Sequence, residues 1–325
     1  MTDLASQPKI LITGGTGFVG SHLVEALLEA DQTNIHVTSY SDNPGFVHEL
    51  LPHDQIHQLD LTNQDKTNQL IKELKPDHIY HLAALAAVGK SFTNTREVLD
   101  NNIQLQLNLL EAVSQFAPLA KILAIGSAME YDLVSDYENF NPQKIDETYP
   151  LGPTSPYAVS KTVQDLLAYS YTQTSNLNII RVRPFNHIGE RQNSDFVVPA
   201  FAKQIVAIEN GQQQKLKVGN LKSIRDFTDV KDMVQAYMIL ISQGKSGQVY
   251  NVGVGRGHSI QEILDILINL AKVEIEVEVD QDKMRPSDIP VSIANPALIK
   301  SLGWKPKIEL QTTLQRILDY WRSQS

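Results

Sequence analysis

The sequence predicts a doubly wound α/β fold built on a parallel sheet, and three observations carry that expectation. From Lys9 onward short apolar runs alternate with stretches of helical period, the pattern of strand-helix-strand units. Between the first run and the first helix stands Thr13-Gly14-Gly15-Thr16-Gly17-Phe18-Val19-Gly20. Further on, Pro156 opens a helical stretch in which Tyr157 and Lys161 fall four residues apart, on one face.

In chain order, strands are expected at Lys9 to Thr13, Ile35 to Ser39, Ile56 to Asp60, His78 to Leu82, Lys121 to Ile125 and Asn178 to Arg183. The helix from Phe18 to Ala30 puts Leu23, Ala26 and Leu27 on one side, and the helix from Asn102 to Phe116 repeats Ile103, Leu107, Leu110 and Val113 at helical period. A helix from Tyr157 to Thr174 continues the series. After Arg183 the alternation breaks, and Pro184 with a polar loop from Gly189 to Asp195 leads into an apolar helix, Val197 to Asn210. Thr228 to Ser242 reads as a helix and Gln248 to Val252 as a late strand that rejoins the first sheet. Beyond Ser259, two or three helices and the strand Glu274 to Asp280 make a smaller C-terminal part. The expected division is a dinucleotide-binding domain of residues 1–183 with a return segment 223–257, and a substrate domain of residues 184–222 and 258–325. The two interleave in sequence, with no internal repeat and no long linker.

Composition narrows the function classes. With 42% hydrophobic residues in a chain of 325, a large core can be buried. A net charge of -9 argues against a nucleic-acid surface but leaves room for a local basic pocket. The chain has no cysteine, which removes disulfides, thiolate metal sites and cysteine nucleophiles, and no metal site is expected. No run approaches about 18 apolar residues, and the first residues carry no basic segment followed by an apolar one. A cytoplasmic enzyme without membrane contact is therefore expected.

Gly14, Gly17 and Gly20 follow a strand and open a helix, as a dinucleotide fingerprint requires. Gly14 permits the tight turn, Gly17 lets a pyrophosphate approach the backbone, and Gly20 lets the helix pack on the sheet. Thr16, Phe18 and Val19 flank them, where the helix N-terminus supplies N–H donors and a partial positive charge. The second strand ends Val37-Thr38-Ser39-Tyr40-Ser41, without the acidic residue that grips the ribose hydroxyls of NAD and without an arginine for a 2′-phosphate. The missing carboxylate favours NADP(H) over NAD(H). Asp60 and Leu61, ending the third strand, are placed to meet the adenine, with a helix N-cap as the other reading of Asp60. Leu82, Ala83 and Ala84 offer small residues after the fourth strand, where a cofactor can pass close to the backbone.

Ser127, in Gly126-Ser127-Ala128-Met129-Glu130-Tyr131, follows the fifth strand at the carboxyl edge where doubly wound sheets bind ligands. The Lys161 ammonium beside Tyr157 is expected to favour the phenolate and lower its pKa from about 10, which makes a proton shuttle usable near neutrality.

The glycine loop, the strand-end serine and Tyr157-x-x-x-Lys161, in that order and separation, resemble the extended short-chain dehydrogenase/reductase family of sugar-nucleotide enzymes over essentially the whole chain. By that resemblance Ser127 orients and polarises the substrate oxygen, Tyr157 exchanges the proton, and Lys161 holds the nicotinamide ribose while tuning Tyr157. Arg183-Pro184-Phe185-Asn186-His187-Ile188-Gly189 is similar to the family's post-strand loop, which makes Asn186 a ligand of a nucleotide diphosphate. Arg225, in Arg225-Asp226-Phe227, and Arg285, in Arg285-Pro286-Ser287-Asp288, are implied as its guanidinium partners, with salt bridges to Asp226 and Asp288 as the other reading. The segment Phe196 to Ile205 adds Val198 and Lys203 as substrate contacts. The wording of these segments looks most like GDP-6-deoxy-mannose reductases and GDP-mannose 4,6-dehydratases. The resemblance thus implies a GDP-sugar substrate and a homodimer through the helices Asn102 to Phe116 and Tyr157 to Thr174, although those apolar stripes read equally as buried within one chain.

Hydride transfer at sugar C4 is common to reductases, dehydratases and epimerases, so the neighbours of the triad must separate them. A 4,6-dehydratase needs a further acid/base pair, which in similar enzymes follows the hydroxyl residue. Ala128 and Met129 hold those places and carry no proton. Glu130 comes one place late and, in an extended segment, points to the opposite face unless the loop is irregular enough to turn it inward. Without cysteine, 3,5-epimerase-reductase chemistry is not expected. The expected activity is NAD(P)H-dependent reduction of the 4-keto group of a GDP-4-keto-6-deoxy-hexose, giving GDP-rhamnose or GDP-6-deoxy-talose. A GDP-mannose 4,6-dehydratase, a 4-epimerase and, outside enzymes, a dinucleotide-sensing protein are its rivals.

Overall fold

The computed structural model describes residues 7–133, 144–283 and 289–325. Ile10-Leu11-Ile12-Thr13 has no polar alternation and forms a strand, β1 (Ile10–Thr13), buried along its whole length, as a central parallel strand must be. It lies between β2 (Ile35–Ser39) and β4 (His78–His81), both parallel to it. β3 (Ile56–Gln58) pairs outside β2, while β5 (Lys121–Ile125) and β6 (Asn178–Pro184) extend the other side, again in parallel. The strand Val249–Val252 completes a seven-stranded row next to β6. Chain order reverses between β1 and β4, so the carboxyl ends of β1, β4 and β5 flank a topological switch point.

Helices connect these strands: α1 (Phe18–Glu29), α2 (Gln64–Leu74), the short α3 (Val88–Ser91), α4 (Thr95–Phe116) and α5 (Pro156–Thr174). Asn63 caps α2, its side chain accepting from Lys66 N–H, and Lys75 at φ 47 ends it. α4 starts seven residues earlier than the apolar stripe suggested. Its first two turns are polar apart from the adjacent Val98 and Leu99, so periodicity gave them no signal. At α5, Ser155 accepts from Ala158 N–H at 3.1 Å and Pro156 sits in the first turn, so the start of this helix and the placement of Tyr157 are doubly specified.

The chain divides into two units. The first holds Met1–Glu130, Ser155–Arg183 and Val234–Tyr250; the second holds Tyr131–Thr154, Pro184–Met233 and Asn251–Ser325. The division is more finely interleaved than the sequence indicated, since residues 131–154, 223–233 and 251–257 cluster with the second unit. In the first unit Leu11, Ile79, Leu109, Val113, Ile122 and Ile179 belong to one core between sheet and helices. The second unit is built from α6 (Val197–Glu209), α8 (Ile260–Asn269) and α10 (Leu310–Ser323), whose apolar faces share a core with Leu216, Val218 and Phe227. Its short strands form small sheets: Ile224–Asp226 between Gly257–Ser259 and Val291–Ser292, and Lys215–Val218 beside Glu276–Val279. α7 (Val230–Gln243) leads from the second unit back to the first, and α9 (Ala297–Ser301) precedes the buried Trp304, whose indole N–H donates to Asp232 O at 3.0 Å. No helix of the described residues is long and apolar enough to cross a membrane.

Candidate active site

The phosphate loop is shaped by what a side chain would strike. Gly14 has φ +67, and a Cβ there would stand 3.0 Å from the Ala83 backbone, so the first glycine and the segment after β4 are in close contact. A Cβ on Gly20 would stand 2.5 Å from Gly14 O, which ties the third glycine to the packing of α1 on the loop. At Gly17 a Cβ would meet only Gly14 O, so that face of the turn is open. No side chain caps α1 and its first turn holds no acidic residue, so its N-terminus with Phe18 and Val19 is fit to receive a pyrophosphate.

Around the loop, Thr16 Oγ1 donates to Ser39 Oγ at 3.2 Å, and Ser39 donates to Ser41 O at 2.8 Å. Leu82, Ala83 and Ala84 are partly exposed, with Ala83 N–H directed to Thr13 Oγ1 at 3.3 Å. Asp60 is exposed and accepts from the Thr62 amide and hydroxyl, at 2.9 and 2.7 Å. It does not cap α2; Asn63 does, which corrects the N-cap reading. The Leu61 side chain packs with Leu59 and Leu105, and its carbonyl accepts from Thr67 Oγ1 and Asn108 Nδ2 at 3.2 and 2.9 Å.

At the end of β5 the residues after Gly126 turn tightly. Ala128–Glu130 is a single 3₁₀ turn, in which Met129 N–H donates to Ser127 Oγ at 3.2 Å and Glu130 N–H to Ser127 O at 3.1 Å. The Ser127 side chain lies on the Tyr157 hydroxyl's side of the turn and favours the phenolate. Burial works against it: the Tyr157 hydroxyl is pushed up to about 12 by desolvation, with the Glu130 charge adding to the rise. The expected lowering by Lys161 is thus overturned in the protein alone. Lys161 is itself buried, its Nζ donates to Ile125 O at 2.8 Å, and desolvation pulls its ammonium down to about 8.

Glu130 departs from the extended-segment expectation. The 3₁₀ turn brings it fully inside, where Oε1 accepts from Ser127 N–H at 2.6 Å and Oε2 from Arg183 Nε at 2.8 Å. Arg183 also donates to Asp165 Oδ2 at 2.7 Å, and Arg181 donates to the same oxygen at 2.8 Å. Burial pushes the Glu130 carboxyl up, Asp165 adds to the push and Arg183 opposes it. Two guanidiniums and two carboxylates therefore form one buried chain beneath Ser127. Its signal in the sequence is Arg181 and Arg183 two apart on a strand, hence on one face, which demands compensating carboxylates. Asn102 was equally unmarked; it is fully buried and reaches Leu85 N–H, Leu85 O and Ser160 Oγ, at 2.8, 3.2 and 2.9 Å.

In the second unit the candidate substrate residues differ among themselves. Asn186 is exposed, with its backbone carbonyl accepting from Thr228 N–H at 2.9 Å. Arg225 is partly exposed and donates to Ile224 O at 2.9 Å, while Asp226 beside it is buried on three backbone N–H groups, of Val254, Gly255 and Ala294. Asp226 therefore does not serve as the salt-bridge partner in the other reading of Arg225. The Val198 side chain lies wholly in the apolar core of α6, so in this first turn its backbone N–H is what it could offer a ligand. Lys203 is exposed, with Nζ 5.5 Å from the centre of the Trp321 ring. Arg285 lies outside the described residues, as does Asp288.

A family model described as GDP-mannose 4,6 dehydratase matches residues 11–317. A GDP-6-deoxy-D-mannose reductase of Pseudomonas aeruginosa is 34% identical over 97% of this chain and 97% of its own length. The solved structure of RMD from Pseudomonas aeruginosa complexed with NADPH covers 98% of this chain with all of its own, at 34% identity and a TM-score of 0.84. A UDP-glucose 4-epimerase of Thermus thermophilus in complex with NAD aligns over 96% of this chain and 98% of its own, at 28% identity and a TM-score of 0.85. The parallel sheet, the glycine loop at its switch point and the strand-end serine facing a helix-borne tyrosine agree with this likeness, and the chain belongs to the GDP-mannose 4,6-dehydratase family.

Proposed function

We propose that the protein reduces the 4-keto group of a GDP-4-keto-6-deoxy-hexose with a nicotinamide dinucleotide. The observation that carries this reading is the pairing of Ser127 with Tyr157 beside a Glu130 whose two oxygens are already taken. That leaves Tyr157 as the proton carrier at the sheet edge, which suits one reduction and gives no second acid/base for a dehydration. The similarity to a GDP-6-deoxy-D-mannose reductase supports the same choice.

A reduced nicotinamide, when bound, supplies the hydride. The chain's own groups do the rest. Ser127 donates a hydrogen bond to the carbonyl oxygen at C4, Tyr157 delivers its proton to that oxygen as it becomes an alkoxide, and Lys161 holds the cofactor ribose and favours the phenolate left behind. Gly14, Gly17 and Gly20, with Thr16, Phe18 and Val19, hold the pyrophosphate at the start of α1. Asp60 and the Leu61 backbone border the adenine. NADPH is the preferred cofactor: the turn after β2 offers the hydroxyls of Ser39 and Ser41, and the nearest carboxylate in sequence, Asp42, is engaged by Gln58. Asn186, Arg225 and Arg285 bind the diphosphate of the sugar nucleotide.

We also infer a cytoplasmic homodimer. On α5 the side chains of Val159, Leu166 and Tyr169 are exposed, an apolar stripe that a second copy would cover. Light scattering should give twice the chain mass of 36.3 kDa. The function itself is tested by product analysis. Incubation of GDP-4-keto-6-deoxymannose with NADPH should give a GDP-6-deoxyhexose, while GDP-mannose with oxidised cofactor should give no keto sugar; the reverse pattern would make the protein a dehydratase.

A further inference from the structure

Glu130 is a fully buried carboxylate for which the reduction has no direct use, and its surroundings define a task. We propose that Glu130 is a positioning residue: its carboxylate, braced by Arg183, clamps the Ser127 turn so that the serine hydroxyl meets the Tyr157 hydroxyl. This rests on the assignment of Ser127 and Tyr157 to the reacting pair.

The geometry works from both ends of the carboxylate. Oε1 takes the Ser127 amide at 2.6 Å, a bond the 3₁₀ turn itself does not supply. Met129 N–H already donates to Ser127 Oγ, which leaves the hydroxyl's own proton free to serve Tyr157 or, when substrate is bound, the C4 oxygen. Oε2 is held by Arg183 on β6, Arg183 reaches Asp165 on α5, and Arg181 closes the chain on the same Asp165 oxygen. Asp165 lies eight residues beyond Tyr157 on the same helix, so the ionic chain joins the turn that carries Ser127 to the helix that carries Tyr157 and Lys161. The charged and titratable groups facing this assembly are Asp165 and Lys161 from α5, Arg183 from β6, Tyr237 from α7 and His81 from β4. Among the described residues, Arg183 and the Ser127 amide hydrogen-bond the Glu130 oxygens.

Gly126 gives an independent sign. A Cβ at that position would collide with Glu130 Oε1, so glycine there is what lets the carboxylate reach the Ser127 amide. Backbone freedom does not explain this glycine, because it has no positive φ.

The test uses the full-length protein labelled with ¹³C at the ζ carbon of tyrosine, the Tyr157 resonance being assigned by Tyr157→Phe. In Glu130→Leu and in Gly126→Ala, which displaces the carboxylate without removing charge, the resonance should move toward its position in Ser127→Ala. Glu130→Gln keeps one acceptor but turns an N–H donor toward either Arg183 or the Ser127 amide, so its resonance should fall between the wild-type and Glu130→Leu positions. Turnover of the keto sugar should fall about 10- to 100-fold in Glu130→Leu and Gly126→Ala with KM and NADPH affinity little changed, and fall less in Glu130→Gln. Should Glu130→Leu fail to fold, Gly126→Ala carries the test alone. A wild-type resonance position in the displaced-carboxylate variants overturns the proposal, and so does a loss expressed in KM with kcat intact. If the resonance moves as expected while the wild-type protein reduces no keto sugar, the positioning role is supported and the reductase reading falls.

Discussion

The two units treat their functional residues in opposite ways. In the first, Ser127 and Lys161 are buried, and Tyr157 is fixed through a capped helix start. In the second, Asn186 and Lys203 are exposed, Arg225 is half-exposed, and the supporting Asp226 is fully sequestered. Reacting groups gain from a desolvated, pre-set geometry, whereas residues that grip a charged diphosphate must stay hydrated until the ligand arrives. Substitutions at the proposed reacting residues Ser127 and Tyr157 should therefore change rate at constant binding, and those at Asn186, Arg225 and Lys203 should change binding or nothing.

The largest effect is expected at Tyr157. Tyr157→Phe should lower turnover by about 100- to 10,000-fold while dinucleotide affinity, followed by fluorescence titration, stays within a few-fold. Near-normal turnover would place the proton elsewhere and erase the contrast.

Lys161 tests the desolvation directly. Burial lowers its ammonium to about 8, while an unfolded lysine keeps a pKa of about 10.4. Between those values the unfolded chain holds the extra proton, so the folded state gains stability as pH rises from about 8. Tyr157, raised to about 12, reverses the trend above about pH 10, where the unfolded phenol ionises first. From about pH 8 to 10, wild-type protein should thus gain on the order of 2 kcal/mol relative to Lys161→Met, read by denaturant melts across that range. A pH-independent difference would mean that Lys161 is not desolvated.

Legibility from sequence follows the same divide. Ser127, Tyr157 and the glycines were readable because each sits at the end of a strand or the start of a helix, where chain order alone fixes its place at the sheet edge. Glu130 was misjudged because a 3₁₀ turn, unlike a strand, does not alternate its side chains, and its partners Arg183 and Asp165 lie far along the chain. The lowering of Tyr157 by Lys161 failed for a related reason. Spacing reports proximity, but burial of both groups depends on packing that no local pattern records. In the second unit Val198 was taken as a ligand because its segment resembles a binding helix, yet its side chain lies on that helix's core face. Four of the seven sheet strands were drawn one or two residues too long, at Lys9, at Leu59 and Asp60, at Leu82 and at Gln248, because strand pairing ends where local composition leaves no mark.

Val198 and Lys203 provide the smaller tests. Val198→Ala should cost about 1–3 kcal/mol in unfolding free energy through a core cavity, with the KM for sugar nucleotide unchanged. A raised KM at unchanged stability would make its side chain a contact. Lys203→Met should cost no more than about 1 kcal/mol, the worth of an exposed ammonium over an indole ring. A several-fold rise in KM instead would assign that ammonium to the diphosphate.

The central claim is that the Ser127–Tyr157 pair reduces a 4-keto sugar, and single-turnover mixing tests it most directly. Enzyme loaded with NADPH is mixed anaerobically with GDP-4-keto-6-deoxymannose while the nicotinamide absorbance is followed. The absorbance should fall rapidly in the wild-type protein, and about 100-fold or more slowly in Tyr157→Phe. Absence of oxidation with both NADPH and NADH, or equal rates in the two proteins, would contradict it.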